Sequence, residues 1–518
     1  MKWTLPQGPF SIFWLYHYDE ENHSLRTGAS PSQPRAPAYQ WVYEGVRSAI
    51  LGGRLSADRR LPATRDLARQ YGLSRGTIVN AFDLLASEGY VEGRVGSGTY
   101  VSKVLPDRLL HLASGHLAKP AAQQQRSSPL SDYGQRALLF EGYENRPTRA
   151  FRANLPALDL FPTTLWTKIT VRCLRRISRQ HLMGGSALGY LPLRQAVAEY
   201  VSTSRGVRCE PEQIAIVSGV QEALDVTSRL LLNPRDRVCV ENPGYPGAVF
   251  VFQALGARIC AAGVDGEGIT IRHLPAHGVR LIYVTPGHQF PLGTTMSLAR
   301  RLQLLEWARS SGAMIFEDDY DSEYRYSGRP IPALQGLDER GLVLYAGSFS
   351  KVLFPSLRLG YAVIPRDLVR HFEAALSLTC RHAPLLEQLV LTEFITGGHF
   401  GRHLRRMREI YAERLSMLLE EARLRLRGLL EISGVEAGLQ TVGWLCGGMN
   451  AESAAAAAAK RNVDVIPVDR YSQGKVAPDG LQLGFAALEV KEIRRGVRDL
   501  AIALEDEWKH RRVRRSRR

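Results

Sequence analysis

Gly347-Ser-Phe-Ser-Lys351, with Arg358 seven residues on, closes an apolar run, Leu342 to Tyr345, that has the length of a buried strand. Four similar runs precede it: Ile214 to Val217, Val238 to Val240, Leu281 to Val284 and Met314 to Phe316. Helix-length segments separate them between about 150 and 505. Strands alternating with helices define an α/β domain with a mostly parallel sheet.

Open α/β sheets bind ligands at the carboxyl ends of their strands, so the residues just past each run carry the information. Ser218-Gly-Val-Gln221 follows the first run and starts a helix, whose free N–H groups suit a phosphate. Asn242-Pro-Gly-Tyr245 brings an aromatic ring, Glu317-Asp-Asp-Tyr320 brings carboxylates, and Ser348 to Lys351 brings hydroxyls and an amine. Singly, each residue has a plainer reading. A lysine after a strand usually lies at the surface, Asp318 suits a helix cap and Tyr245 suits a core.

Together at five strand ends, a phosphate cradle, a flat ring, a carboxylate, a lysine and an arginine meet the needs of pyridoxal phosphate. Lys351 is then the Schiff-base lysine, and Asp318 pairs with the pyridinium nitrogen and keeps it protonated. Tyr320 is expected to donate to the ring hydroxylate and Tyr245 to stack on the ring. Ser348, Ser350, Arg358, Gly219 and the amides of Val220 and Gln221 are expected to hold the phosphate.

Upstream, residues 36–102 read as three short helices and a two-stranded turn. Val42, Val46, Ala49 and Ile50 repeat at helical spacing, and Gly52-Gly53 ends that helix. A second helix begins near Thr64 and stops at Gly72; Ser74 caps a third, with Ile78, Phe82 and Leu85 as its buried stripe. Val91 to Val101 reads as two strands with a glycine-rich tip, Arg94-Val-Gly-Ser-Gly98. This is a winged helix-turn-helix, in which Ser74, Arg75 and Thr77 face the major groove, Arg65 the DNA backbone, and Arg94 and Gly96 the neighbouring groove. The eight arginines of residues 38–102 outnumber the acids by only two, so charge alone does not settle DNA binding.

Tyr39 to Val101 resembles the winged-helix domain of GntR-type bacterial regulators, in Leu61-Pro-Ala-Thr-Arg-Asp-Leu-Ala68, Leu73-Ser-Arg-Gly-Thr-Ile78 and Leu84-Leu-Ala-Ser-Glu-Gly-Tyr90. The resemblance implies DNA contact by Arg65, Ser74, Arg75, Thr77 and Gly96. Residues 150–505 resemble the fold type I aminotransferase-like domain of MocR/GabR-type regulators, in Leu158-Asp-Leu-Phe-Pro162, Glu241-Asn-Pro-Gly-Tyr-Pro246, Thr285-Pro-Gly-His-Gln-Phe-Pro-Leu-Gly293 and Ser348 to Tyr361. That family implies a multi-domain α/β protein, with a smaller α+β subdomain beside the main sheet, that works as a homodimer. It also implies promoter DNA as one partner and pyridoxal phosphate or an amine or amino acid as effector.

Three departures from the pattern matter. Aminotransferases of this type grip a substrate carboxylate with an arginine in a late strand, where this chain has Gly480-Leu-Gln-Leu-Gly-Phe485. A family member carries another arginine two residues after the stacking tyrosine, where this chain has Gly247. A tyrosine that reaches the partner's phosphate is replaced near Gly184. The missing clamps weigh against efficient transamination and favour a regulator that is not an enzyme, with at most a residual half-reaction. The alternatives are an active aminotransferase carrying a DNA-binding domain, and a DNA-binding protein with a relic domain.

Composition sets the frame. The 518 residues exceed one domain, and 45% hydrophobic with 23% charged content is that of a globular chain. The net charge of +16 favours a polyanionic partner, although Lys509 to Arg518 alone carries +7 of it. Residues 506–518 read as a basic tail and residues 103–149, around Ala121-Ala-Gln-Gln-Gln-Arg-Ser-Ser-Pro129, as a flexible linker. The six cysteines are at least 21 residues apart, which excludes zinc and redox spacings. Phe10 to Tyr18 is too short to span a bilayer and contains His17, so a cytoplasmic protein without a membrane role is expected. Residues 1–35 remain an unassigned extension.

Overall fold

The computed structural model describes residues 17–19, 24–26, 37–94, 96–105, 129–138, 149–327, 331–432, 434–475 and 478–516. The chain divides into two compact units, residues 1–127 and 128–518. Within the extension, His17–Asp19 pairs antiparallel with Ser24–Arg26; the rest of residues 1–35 lies outside the described residues.

In the first unit, α1 (Ala38–Leu51), α2 (Thr64–Tyr71) and α3 (Arg75–Ser87) precede β1 (Val91–Arg94) and β2 (Gly98–Val101). Val42, Val46 and Ile50 pack with Leu67, Ile78, Phe82 and Leu85 in one core. Gly72 ends α2 at φ 64°, a left-handed conformation that costs glycine nothing. Ser74 Oγ then accepts from Thr77 N at 3.1 Å and starts α3. The wing gains a third edge, because Leu61 N donates to Thr99 O and Arg60 bridges Tyr100. The core reaches past residue 102, since Leu105 is buried in it.

In the second unit the elements that frame the main sheet are α4 (Asp132–Ala137), β3 (Ile214–Val217), α5 (Val220–Leu231), β4 (Arg237–Asn242), α6 (Pro246–Ala254), β5 (Arg258–Asp265), β6 (Gly268–Ile269), β7 (Val279–Val284), β8 (Met314–Asp319), β9 (Val343–Ser348), α7 (Phe349–Val352) and β10 (Gly360–Val363). The eight strands run β3-β10-β9-β8-β7-β4-β5-β6. β9, β8, β7, β4 and β5 are mutually parallel, while β10 runs antiparallel to both of its neighbours. The central strands are buried on both faces, which is why they read as unbroken apolar runs.

A smaller subdomain follows: α8 (His399–Arg425), β11 (Leu430–Ile432), β12 (Gln440–Leu445), α9 (Ala451–Ala459), β13 (Ile466–Pro467), β14 (Gly480–Gly484) and α10 (Val490–Ser516). Its four strands pair antiparallel in the order β11-β12-β14-β13. Leu439, Leu445, Leu481 and Leu483 pack into the core that α8, α9 and α10 cover.

Two expectations need correction. Within the linker expected over 103–149, residues 132–137 form the helix α4, and Arg136 Nε donates to Ala254 O of α6 at 3.1 Å. The docking is polar and aromatic, with Arg229 over the Tyr133 ring, so low apolar content did not reveal it. The basic tail expected from 506 is helical to Ser516. Leu500, Ala503, Leu504 and Trp508 extend one apolar stripe across that boundary.

Candidate ligand site and nucleic-acid interface

Strand register assembles one end of the site. Ser348 pairs with Gly360, and Gly360 with Val217, so the residues just past three strands meet in a row. Gly219 caps α5 at φ 144°, and a Cβ there would lie 4.0 Å from Arg358 Nη1. Gly360 permits this approach, since its own Cβ would stand 3.1 Å from Gly219 Cα. Ser348 Oγ accepts from Ser350 N at 3.2 Å, while Ser350 Oγ is buried with no hydrogen-bond partner. Arg358 N donates to Pro355 O at 3.4 Å, while its guanidinium makes no hydrogen bond among the described residues. The first N–H groups of α5, a hydroxyl and a guanidinium thus form a cradle for an anion.

Asp318, at the end of β8, forms the other end. Its Oδ2 accepts from Tyr283 OH at 2.5 Å, and its Oδ1 is buried with no partner. Burial is the main cause that pushes its carboxyl up to about 7, against the Tyr283 hydrogen bond and the Lys351 charge. An orphaned carboxylate oxygen of that kind fits a charged ring N–H. Lys351 Nζ donates to Asn154 O at 3.1 Å.

Tyr245 lies near-parallel to Tyr283, with ring centroids 6.1 Å apart. Its hydroxyl donates to Gln221 Oε1 at 3.1 Å, and Gln221 Nε2 to Gly247 O at 3.0 Å, which fixes the ring. A Cβ at Gly247 would fall 2.4 Å from that ring, so Tyr245 fills the place a longer side chain would need. Tyr320 has a partner that the sequence did not show. His288 Nδ1 lies 3.0 Å from its hydroxyl and 2.9 Å from Asp321 Oδ1. At Gly184 a Cβ would meet His382 Nε2 at 3.1 Å.

The structure brings together Lys351, Asp318, Tyr320, Tyr245, Ser348, Ser350, Arg358, Gly219, Val220 and Gln221 at one sheet edge. Sequence reasoning assigned no role to Asn154, Tyr283, His288 or Gln440, and met Gln482 only as the place of an absent arginine in Gly480 to Phe485. His288 had a signal inside Thr285 to Gly293, and Tyr283 lies in the apolar run Leu281 to Val284. Asn154 acts through its backbone, and Gln440 sits on a strand with no motif.

In the first unit, Arg65, Ser74, Arg75 and Gly96 are exposed and Thr77 half-buried, around the start of α3 and at the wing tip. Ser74 and Thr77 also bond each other through their hydroxyls at 2.8 Å, whereas the exposed Arg75 side chain makes no hydrogen bond or ion pair among the described residues. Arg94 departs from the expectation. It is bound to Asp58 and, at 2.7 Å, to Glu92, and it lies 4.3 Å over the Tyr100 ring. Glu92 and the Tyr100 ring on the wing and Asp58 ahead of α2 hold it.

A winged helix-turn-helix in one unit and an aminotransferase-type sheet in the other define a DNA-binding regulator built on an enzyme fold. Residues 38–101 match the family model of bacterial regulatory proteins of the gntR family, and residues 162–499 that of aminotransferase class I and II. The chain belongs to the MocR-type transcription regulators, in which a GntR head is joined to an aminotransferase domain. The probable rhizopine catabolism regulatory protein MocR of Rhizobium meliloti is 38% identical over 469 residues, 90% of this chain and 94% of that one. The pyridoxine biosynthesis regulator PdxR of Corynebacterium glutamicum is 29% identical, over 91% of this chain and 97% of that one. Among solved structures, the α-aminoadipate aminotransferase LysN of Thermus thermophilus, complexed with N-(5'-phosphopyridoxyl)-L-leucine, is 29% identical. It matches at a TM-score of 0.63, over 70% of this chain and 92% of that one. No helix among the described residues is long and apolar enough to cross a membrane.

Proposed function

We propose that this regulator binds pyridoxal phosphate at the Lys351 edge of its sheet and uses it to sense an amine effector, without sustained transamination. The observation that carries this reading is the buried Asp318 Oδ1, which has no partner of its own. Ser350 Oγ, buried and equally unpartnered, supports it from the phosphate end. Bound there, the cofactor supplies an aldehyde that condenses with a primary amine. Lys351 is its covalent anchor, and Asp318 holds a proton on the ring nitrogen. Tyr245 would stack on the ring, Tyr320 would donate to the ring hydroxylate, and Ser348, Ser350, Arg358 and the α5 amides would hold the phosphate.

The protein acts on promoter DNA in the cytoplasm as a homodimer, with Arg65, Ser74, Arg75, Thr77 and Gly96 at the DNA. An effector regulates only if it binds one arrangement of the dimer more tightly than another. Turnover is disfavoured because neither Gln482 nor Gly247 offers a cation to an amino-acid carboxylate. Multiple turnovers with an amino acid and keto acid pair would establish the enzyme instead.

The test is the visible absorption of the purified protein with pyridoxal phosphate, beside Lys351→Ala. A band in the wild type alone is expected. Its absence from both would leave the second unit without a cofactor.

A further inference from the structure

Opposite Lys351, the wall of the site carries two amide donors with nothing to bind. Asn154 ties the wall to the lysine, since its carbonyl accepts from Lys351 Nζ at 3.1 Å and its N–H donates to Gln440 Oε1 at 3.0 Å. Gln440 Nε2 is left unpartnered, and Gln440 is 1% exposed. On the adjacent strand, Gln482 is fully buried; its Oε1 accepts from Tyr471 OH at 2.7 Å and its Nε2 is also unpartnered.

Register places both amides on the same face. Gln440 pairs with Gly484 and Val442 with Gln482, while the intervening Thr441, Leu481 and Leu483 turn the other way. That face looks into the site. The Tyr471 ring packs edge-on to Phe290 at 4.9 Å, and Phe290 packs edge-on to Tyr245 at 5.8 Å and Tyr320 at 6.2 Å.

A buried N–H group without an acceptor is costly, and two on one wall point to a ligand that supplies oxygen. Neither amide is bonded to a cation. A carboxylate brought there would lose its water and gain only neutral donors, whereas a hydroxyl or carbonyl oxygen loses little and is satisfied.

We infer that the effector is a primary amine whose far end carries neutral oxygen, hydroxyl or carbonyl, and no carboxylate, and that Gln482 and Gln440 are the residues that select it. This rests on the proposal that pyridoxal phosphate occupies the Lys351 edge.

The test uses full-length protein loaded with pyridoxal phosphate and reads the shift of its visible band on titration with β-alaninol, β-alaninamide and β-alanine, which share one skeleton. The two neutral amines should bind about tenfold more tightly than β-alanine. Gln482→Arg should reverse that order, and Gln440→Leu should weaken the neutral amines about tenfold, several times more than it weakens β-alanine. β-alanine binding as tightly as either neutral amine, no response to any of the three, or an unchanged order in both variants would overturn the inference. Failure to form any band with pyridoxal phosphate would overturn the cofactor proposal itself, and this inference with it.

Discussion

Arg205 Nε donates to Asp319 Oδ2 at 2.7 Å, and both residues are buried, one position along the chain from Asp318. Burial acts to raise the Asp319 carboxyl, but the Arg205 charge and the hydrogen bonds from Ser322, Tyr345 and Arg205 together outweigh it and hold the group below its ordinary range. Tyr345 OH adds a bond at 2.7 Å. Neighbouring carboxylates are thereby divided: Asp319 is spent on the frame, and Asp318 is left to the site.

Breaking the frame should be costly. Asp319→Ala removes the carboxylate bonded to the buried Arg205 and should lower unfolding free energy by about 3–5 kcal/mol. Denaturant unfolding checks this, and a loss below about 1 kcal/mol would refute the role assigned to the pair.

Asp318 gives a pH signature of opposite sign. Its carboxyl is raised from 3.8 to about 7, so the folded state keeps a proton that the unfolded chain has lost. The stability it contributes is complete below the unfolded value and is lost as pH rises toward about 7. Without cofactor, the wild type should lose more melting temperature between about pH 5 and about pH 8 than Asp318→Asn does. Glu241, Glu317 and Glu323 are also raised to about 7 by burial, so the variant's slope should shrink without vanishing.

On the phosphate side, Arg358→Ala removes a cation with no other partner, and Ser350→Ala a single hydroxyl. Arg358→Ala should weaken pyridoxal phosphate binding about a hundredfold and Ser350→Ala about tenfold, as measured by absorption titration. The reverse order would argue that the phosphate lies elsewhere.

At the DNA, Arg75→Ala should cost about 1–3 kcal/mol and relax sequence preference. Arg65→Ala should weaken all sequences alike and reduce the salt slope by about one. Arg94→Ala should change affinity less than either, because Asp58 and Glu92 already hold that side chain. Fluorescence anisotropy over a salt series separates the three.

The main sheet was legible because its central strands are buried on both faces and read as short apolar runs. Gly360 to Val363 was harder to see as a strand, since it is short and begins two residues after Arg358, and Arg258 to Asp265 buries only Ala262. Residues that carry a side-chain role at a strand end could be named from sequence. Those that work through a backbone, such as Asn154, or as an amide inside a strand, such as Gln440, left no pattern to read. For Arg94 the sequence showed its place on the wing but not the nearness of Asp58, which lies 36 positions earlier.

Gln482 stands between Leu481 and Leu483, both wholly buried in the core that also takes in α10. A strand anchored on both sides in this way cannot flap as a loop does. Whatever presses on Gln482 must tilt the subdomain as a plate, so the protein should answer its effector on the microsecond-to-millisecond scale of collective motion rather than the faster one of loops.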